Sequence, residues 1–532
     1  MTSLPRGASS LMAGIAIAAA LCGCVAQAPL DGPSSADLAS SAKGSEPLVL
    51  IVVGFEGDGN GENAVPYRDD FDWHAMAFEG HGVSAFYSGQ SLGAFTWEPA
   101  RETSAFGVDG NTCASDAEDD GVVHVKLPRG HGHWFASDGA DAPQGAIDID
   151  EVTEKQAALG RDFDDCTVDA LREAAKYIDF GSYDVDGSGT IDVDELGVGI
   201  IFAGYDINGD WMYLLDEAEY PSMQSHAGGP FDIGISRGVD IIPDHAVIMG
   251  EAVTRVPEDR VGDGQVDASA IEVAPCPLST MAHELGHYLD LPDYYDTSYS
   301  ETAPWRFWNP GCLSVMGGGA VLRVSDGSGA YETSMAGFDP FSRVKLGWLH
   351  PQVVDASGTY EVRADGAPGG KNVLRVETGG EGEYFLIENR QATGFDAALR
   401  GQYGQEQTGG IVVWHVDEGV YDAYFEANEV NLPLHRPALT VQYLMSAGAA
   451  IGLGSGRTLS FADGTTPDTT SAFWDSKSAE GRFAELGVDA FQLWRYGEGD
   501  GADDPRTREY CGIYLTFPDE SADVMHVDIS LR

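Results

Sequence analysis

The sequence predicts an α+β chain, with strands and helices mixed in its first part and a β-rich, sandwich-like module after it. Three observations carry this. Leu48–Phe55 is a continuous apolar run of strand length. Thr167–Phe180 and Leu278–Leu289 place apolar residues at helical spacing. From His350 onward the pattern becomes short strand-like runs separated by turns, such as 360–363, 372–376, 384–388 and 411–416, closing with 524–531. The expected divisions are residues 1–23, 24–46, 47–350 and 351–532.

The first division reads as a signal peptide. Arg6 precedes an apolar, alanine-rich run from Leu11 to Leu21, too short to span a bilayer. Leu21-Cys22-Gly23-Cys24 is similar to a bacterial lipobox, with Cys24 as the lipidated residue. Cleavage after Ala26-Gln27-Ala28 is the competing reading, disfavoured by Pro29. The expected location is the bacterial cell envelope or surface, with membrane contact only through the lipid. Residues 26–46, rich in Ser, Ala, Gly, Pro and Asp, read as a flexible tether. No long segment separates it from the strand at Leu48, so a large latency segment is not expected.

Composition excludes some partners. With 30 basic and 85 acidic residues the formal charge is -55, which repels nucleic-acid phosphates and anionic lipid. Beyond Cys22 and Cys24 there are Cys113, Cys166, Cys276, Cys312 and Cys511, an odd number for a disulfide set. Cys276 and Cys312 flank the later motifs and are the suggested bridge.

The helix at Thr167 leads into Asp184-Val-Asp-Gly-Ser-Gly-Thr-Ile-Asp-Val-Asp-Glu195. Asp184, Asp186, Ser188, the Thr190 carbonyl, Asp192 and Glu195 stand at the oxygen-ligand positions of a calcium loop, and Gly189 stands where that loop turns sharply. The apolar run 196–203 reads as a buried strand, so the loop joins a helix to a strand and its role is structural. Asp206–Asp210 with Glu217 is a weaker second candidate, because Trp211 occupies the glycine position.

His283-Glu284-Leu285-Gly286-His287 is the richest local signal. Histidines at i and i+4 share one helix face, so both imidazoles can bind one metal ion. Pro275, Pro277 and Ser279 suit a helix start, and Pro292 prevents the helix from running on. A turn near Asp290 brings Asp293 within reach as third ligand, leaving a fourth position for water. Glu284 then stands beside that water as a base.

These residues resemble a family when the later segments join them. The zinc motif with Leu291-Pro292-Asp293-Tyr294-Tyr295-Asp296, the turn Ser314-Val315-Met316-Gly317, and the segments 338–348, 384–391, 394–396 and 410–418 resemble the immune inhibitor A family of zinc metallopeptidases, a metzincin-like group. The resemblance implies a mixed sheet packed on helices, with Met316 as a hydrophobic base beneath the ligands. It implies a cleft along one edge strand, where an extended peptide adds as a further strand. It further implies catalytic zinc, and proteins outside the cell as substrates. Where the family usually has Gly, this chain has Asp290, a residue that enters the left-handed region with some strain; the alternatives are that Asp290 itself coordinates the metal or that the site is impaired.

The expected chemistry is peptide hydrolysis, with Glu284 moving the proton between water and leaving amine. Tyr331 and His226, the latter in a loop, are the candidate oxyanion donors. Glu388, Asn389 and Asp417 are expected to organise the β module. The competing function is a zinc-fold surface-binding lipoprotein without turnover, favoured by Asp290 alone; a calcium-stabilised scaffold leaves the zinc motif unexplained. Oligomeric state is not legible in the sequence.

Overall fold

The computed structural model describes residues 42–532 except 58–63, 103–118, 131–162, 193, 207–221, 224, 235–239, 242–245, 256–260, 263–264, 267–271, 296, 298–309, 326–330, 402–408, 432–436, 443, 448–450, 453–457, 460–464, 469–472, 487–488 and 497–507. The signal peptide, Cys24, Cys113 and most of the second calcium candidate lie outside the described residues.

Strand β1 (Gly44–Phe55) is the axis of an eight-stranded mixed sheet. Its side chains alternate between two buried faces: Leu48, Leu50 and Val52 on one, Val49, Ile51 and Val53 on the other. A strand apolar on both faces needs a layer on each side. β2 (Phe95–Pro99) and β3 (Val122–Leu127) pair in parallel with successive halves of one edge of β1. β4 (Gly197–Asp206) runs parallel along the other edge. Two antiparallel strands, β5 (His226–Gly228) and β7 (Glu272–Pro275), pair with successive parts of one edge of β6 (Ala246–Arg255), whose other edge is parallel to β4. The sheet is mixed, as the resemblance implied.

Helix α3 (Phe163–Ala174) covers one face through Ala170, Leu171 and Ala174. The other face carries α1 (Trp73–Phe78), α2 (Val83–Gln90) and α4 (Leu278–Tyr288). Helix α5 (Pro340–Lys345), capped by Asp339, joins the same layer through Phe341.

The second half forms two more sheets. One has the order β8 (Gln352–Val353), β10 (Val373–Glu377), β11 (Glu383–Gln391), β12 (Gly409–Asp417), β13 (Leu439–Val441). The other has the order β9 (Gly358–Arg363), β16 (Val524–Leu531), β15 (Arg508–Thr516), β14 (Phe491–Tyr496). Phe385, Ile387, Ile411 and Val413 of the first share a core with Val362, Leu493, Leu515 and Val527 of the second. The intervening residues Tyr384, Leu386, Val412 and Trp414 point the opposite way, into the cluster holding Met281, Leu285 and Met316. The architecture is thus α+β, and its halves share one apolar layer. Helix α6 (Glu418–Tyr424), capped by Asp417, follows β12.

Several sequence expectations need correction. The strand at residue 48 starts at Gly44, Ala42 is fully buried, and its carbonyl accepts from Trp348 Nε1 at 2.8 Å, so the last residues assigned to the tether belong to the fold. His226 sits in strand β5 rather than in a loop, because backbone pairing to Ile248 extends it. Cys276 and Cys312 are both free thiols, as are Cys166 and Cys511.

A network of charges, largely buried except at Asp365, whose side chain is 40% exposed, stitches the halves together. Arg390 donates to the carbonyls of Leu313 (2.6 Å) and Gly337 (3.0 Å) and pairs with Asp396 at 2.8 Å. Glu388 receives Lys371 at 2.9 Å and Trp414 Nε1 at 2.9 Å, and Asp365 receives both Arg343 and Lys371. Burial alone raises the carboxyls of Glu388 and Asp365, but these cations outweigh it and hold both below their usual range. The unfolded chain therefore takes up these protons first, and stability falls with falling pH. We expect Tm to be level from neutrality to about pH 5 and to drop steeply below about pH 4, near the unfolded carboxyl values. A Tm unchanged from pH 7 to 3 in a thermal melt series would refute this.

Candidate metal centre

Helix α4 positions the two imidazoles. Pro277 caps it in extended conformation, and Met281, Ala282 and Leu285 bury one face in the central cluster. Tyr87 Oη donates to the Ala282 carbonyl at 2.8 Å from α2. The helix ends in a Schellman turn: Asp290 N–H donates to His287 O at 2.8 Å and Leu291 N–H to Gly286 O at 3.0 Å. Asp290 occupies the left-handed position, φ 59°. The turn sends the chain back through Pro292 and delivers Asp293 to the histidines.

Three ligand atoms converge. Asp293 Oδ1 lies 3.1 Å from His283 Nε2 and 3.3 Å from His287 Nε2. His283 Nδ1 meets the Val315 carbonyl at 2.7 Å and His287 Nδ1 the Leu291 carbonyl at 2.7 Å. A carbonyl oxygen only accepts, so each Nδ1 carries the hydrogen, and in the neutral ring each Nε2 then presents a lone pair. Two lone pairs facing a carboxylate oxygen repel one another unless a cation lies between them. His283 Nε2 and Asp293 Oδ1 are buried and make no hydrogen bond of normal geometry. Ligand atoms around a tetrahedral zinc with bonds of about 2.0–2.2 Å stand about 3.3–3.6 Å apart, and the separations here, 3.1 and 3.3 Å, lie close to the short end of that range. The donor set fits zinc.

Without an ion, a proton takes that place. Burial pushes His287 down, but the Asp293 carboxylate outweighs it and lifts the imidazole to about 9. Burial likewise opposes ionisation of Asp293, and the two histidines overcome it, holding the carboxyl far below its usual range. A metal ion replaces protons at such a site.

Glu284 is 2% exposed. Burial raises its carboxyl above the ordinary range against the pull of His283 and His287, and the Ser225 hydroxyl hydrogen-bonds to it. Its Oε2 is buried and makes no hydrogen bond. One side of the carboxylate is anchored while the other remains available to take a proton.

Met316 lies directly beneath α4. A Cβ on Gly286 would fall 2.4 Å from Met316 Sδ, so any side chain there would displace Met316 from beneath the helix. The Met316 carbonyl also accepts Tyr294 N–H at 2.8 Å, and Ser314 braces the turn through Asp339 at 2.7 Å. The turn therefore supports both the helix and the ligand loop. His226 lies in β5, beside Ser225, and is half-buried; the Tyr331 side chain is outside the described residues. Among the described residues Asp290 does not join the ligand cluster.

Asp184, Asp186 and Glu195 form a second cluster, with carboxylate oxygens within 4.8 Å of one another. Glu195 Oε1 accepts Val185 N–H at 2.7 Å and Oε2 accepts Asp192 N–H at 3.0 Å, closing the loop. Ser188 Oγ turns inward to the Thr190 carbonyl at 3.0 Å, while Asp192 lies outside the group of three. Burial, then Glu195 and the neighbouring aspartates, raise the Asp192 carboxyl. The loop exit is tied to the metal helix, since Tyr288 Oη donates to the Leu196 carbonyl. Asp206, first residue of the weaker calcium candidate, is instead buried and accepts Gly250 N–H at 3.1 Å.

Sequence reasoning missed Ser225 and Asn428. Asn428 Nδ2 donates to Asp293 Oδ2 at 2.7 Å, and Asp293 N–H donates to Asn428 Oδ1 at 2.7 Å. Neither residue belongs to a local motif; the only hint at Ser225 was its neighbour His226.

The Schellman turn makes a sharp prediction about Asp290. Asp290→Gly is expected to leave zinc content unchanged and stability within about 1 kcal/mol, whereas Asp290→Val loses about 1–2 kcal/mol or more to backbone strain. Zinc analysis and chemical denaturation check it, and loss of zinc from the glycine variant refutes it.

Residues 148–349 match the family described as immune inhibitor A peptidase M6, catalytic domain. The chain thus carries a metallopeptidase domain, and its substrates are proteins or peptides. No curated protein matches the chain. The crystal structure of wild-type OgpA from Akkermansia muciniphila is 12% identical, covering 73% of this chain and 76% of that one with a TM-score of 0.21.

Proposed function

We propose that this chain, a metallopeptidase with a catalytic domain of the immune inhibitor A family, is an exported zinc endopeptidase that cleaves extracellular proteins. The observation that carries the reading is the convergence of His283 Nε2, His287 Nε2 and Asp293 Oδ1 beside the buried carboxylate of Glu284. His283, His287 and Asp293 hold the ion. Zinc bound there supplies a Lewis acid that acidifies water and polarises a peptide carbonyl. Glu284 takes the proton from the attacking water and passes it to the leaving amine. Ser225 keeps its carboxylate turned to that task. Strand β5 runs antiparallel along β6 beside α4, and an extended substrate adds to this edge. His226 on that strand is a candidate oxyanion donor, while Met316 serves as packing beneath the ligands.

The catalytic part is metzincin-like and the two C-terminal sheets form a sandwich-like module, with the change of pattern near residue 350. The apolar run 11–21 and Cys24 support export and lipid anchoring at the bacterial envelope. Among the described residues no helix is long and apolar enough to cross a membrane. The surface-binding alternative rested on Asp290, which adopts the conformation the turn requires.

The test uses the chain without residues 1–24: zinc content by elemental analysis, and casein cleavage before and after chelation and zinc readdition. Cleavage that follows zinc supports the reading, and a folded protein that takes up no zinc overturns it.

Calcium is proposed for Asp184, Asp186, Ser188, Thr190, Asp192 and Glu195 in a structural role. Calcium at about 100 times its dissociation constant should add about 2.7 kcal/mol to stability. Asp184→Ala should abolish that gain in thermal melts, and an equal gain in the variant would refute the site.

A further inference from the structure

We infer that Asn428, supplied by the C-terminal half, is the positioning residue of the third metal ligand, so that the metal centre is built jointly by both halves of the chain. The inference rests on the zinc reading above.

Asp293 is fully buried, and its two carboxylate oxygens have different surroundings. Oδ1 faces the imidazoles, while Oδ2 accepts from Asn428 Nδ2 at 2.7 Å. The same amide accepts the Asp293 backbone N–H through Oδ1 at 2.7 Å. A backbone N–H only donates and a carboxylate only accepts, so both partners assign the amide orientation identically. This two-point clasp holds main chain and side chain together and leaves one oxygen for the ion. Free of the clasp, the carboxylate gains rotamer freedom and a competing oxygen.

Asn428 is itself held for this purpose. It follows α6 with a left-handed backbone, φ 52°, which asparagine enters more readily than most residues. Its N–H donates to the Phe425 carbonyl at 2.9 Å, and its carbonyl accepts Thr297 Oγ1 at 3.3 Å. Three residues on, Asn431 Nδ2 donates to the Tyr294 carbonyl at 2.9 Å. The segment from Asn428 to Asn431 therefore grips the ligand loop at Asp293, Tyr294 and Thr297.

The experiment measures zinc affinity by chelator competition on the chain without residues 1–24, with thermal melts in EDTA. Asn428→Gly keeps the left-handed turn and removes the amide. The expected result is zinc binding weakened about 10–100-fold, with the metal-free Tm close to the parent's. Equal zinc affinity overturns the inference. Should the glycine variant melt early without metal, Asn428→Asp decides: it keeps the turn and the acceptor but loses the donor. Weakened zinc binding in a stable Asn428→Asp protein supports the clasp, and parental affinity overturns it. A parent chain that takes up no zinc instead fails the metal centre, and this inference with it.

Discussion

Replacing Glu284 by glutamine is expected to lower casein cleavage about 10²–10⁴-fold while zinc stays bound. The substitution keeps the shape of the side chain and a group that can still meet Ser225. It removes only the capacity to accept a proton. Nothing in the ligand set depends on that carboxylate, since His283, His287 and Asp293 are oriented by Val315, Leu291 and Asn428. The loss corresponds to about 3–5 kcal/mol of barrier. Zinc content, Tm and the cleavage rate should be read from one preparation. Undiminished cleavage would remove Glu284 from the mechanism, while loss of zinc would show that it supports the ligands.

The second large effect is on stability. Arg390→Ala should destabilise the chain by about 3–5 kcal/mol, the usual consequence of breaking a buried ion pair. The guanidinium is 3% exposed and serves the Leu313 and Gly337 carbonyls besides Asp396. Removing it takes the guanidinium donor from the Leu313 carbonyl and the cation from Asp396, on the two sides of the junction between halves. Arg390→Lys should recover only part of the loss, because one ammonium cannot reproduce the planar fork. Denaturant unfolding checks both, and a loss under 1 kcal/mol for the alanine variant would refute the clamp. Gly337 O also accepts Val315 N–H at 3.2 Å, and Val315 O holds His283, so the clamp backs the metal centre from behind.

Much of the site was legible because its parts are close in sequence. His283 and His287 are one helical turn apart, and Asp293 follows after a turn whose stop signals, Asp290 and Pro292, are local. The acidic loop Asp184–Glu195 is likewise a matter of spacing. The strands at Leu48, Tyr384 and Val524 showed in apolar runs and alternation, and Asp417 caps a helix as an organiser of its module should. The suggested Cys276–Cys312 bridge failed because chain position near a common motif does not bring two thiols together.

By itself, then, the sequence determined the helix with its ligands, the acidic loop and the order of strands, since hydrogen-bond geometry within a turn or strand sets these over a few residues. Tertiary structure alone decided who holds the ligands in place. Asn428 lies 135 residues beyond Asp293, and Arg390 lies 77 beyond Leu313. It also decided that Tyr384, Leu386, Val412 and Trp414 pack on the metal layer rather than face water. Alternation marks two apolar faces on these strands, but which layer covers each face depends on how whole sheets stack. That is set by the summed burial of many distant residues, which no local spacing records.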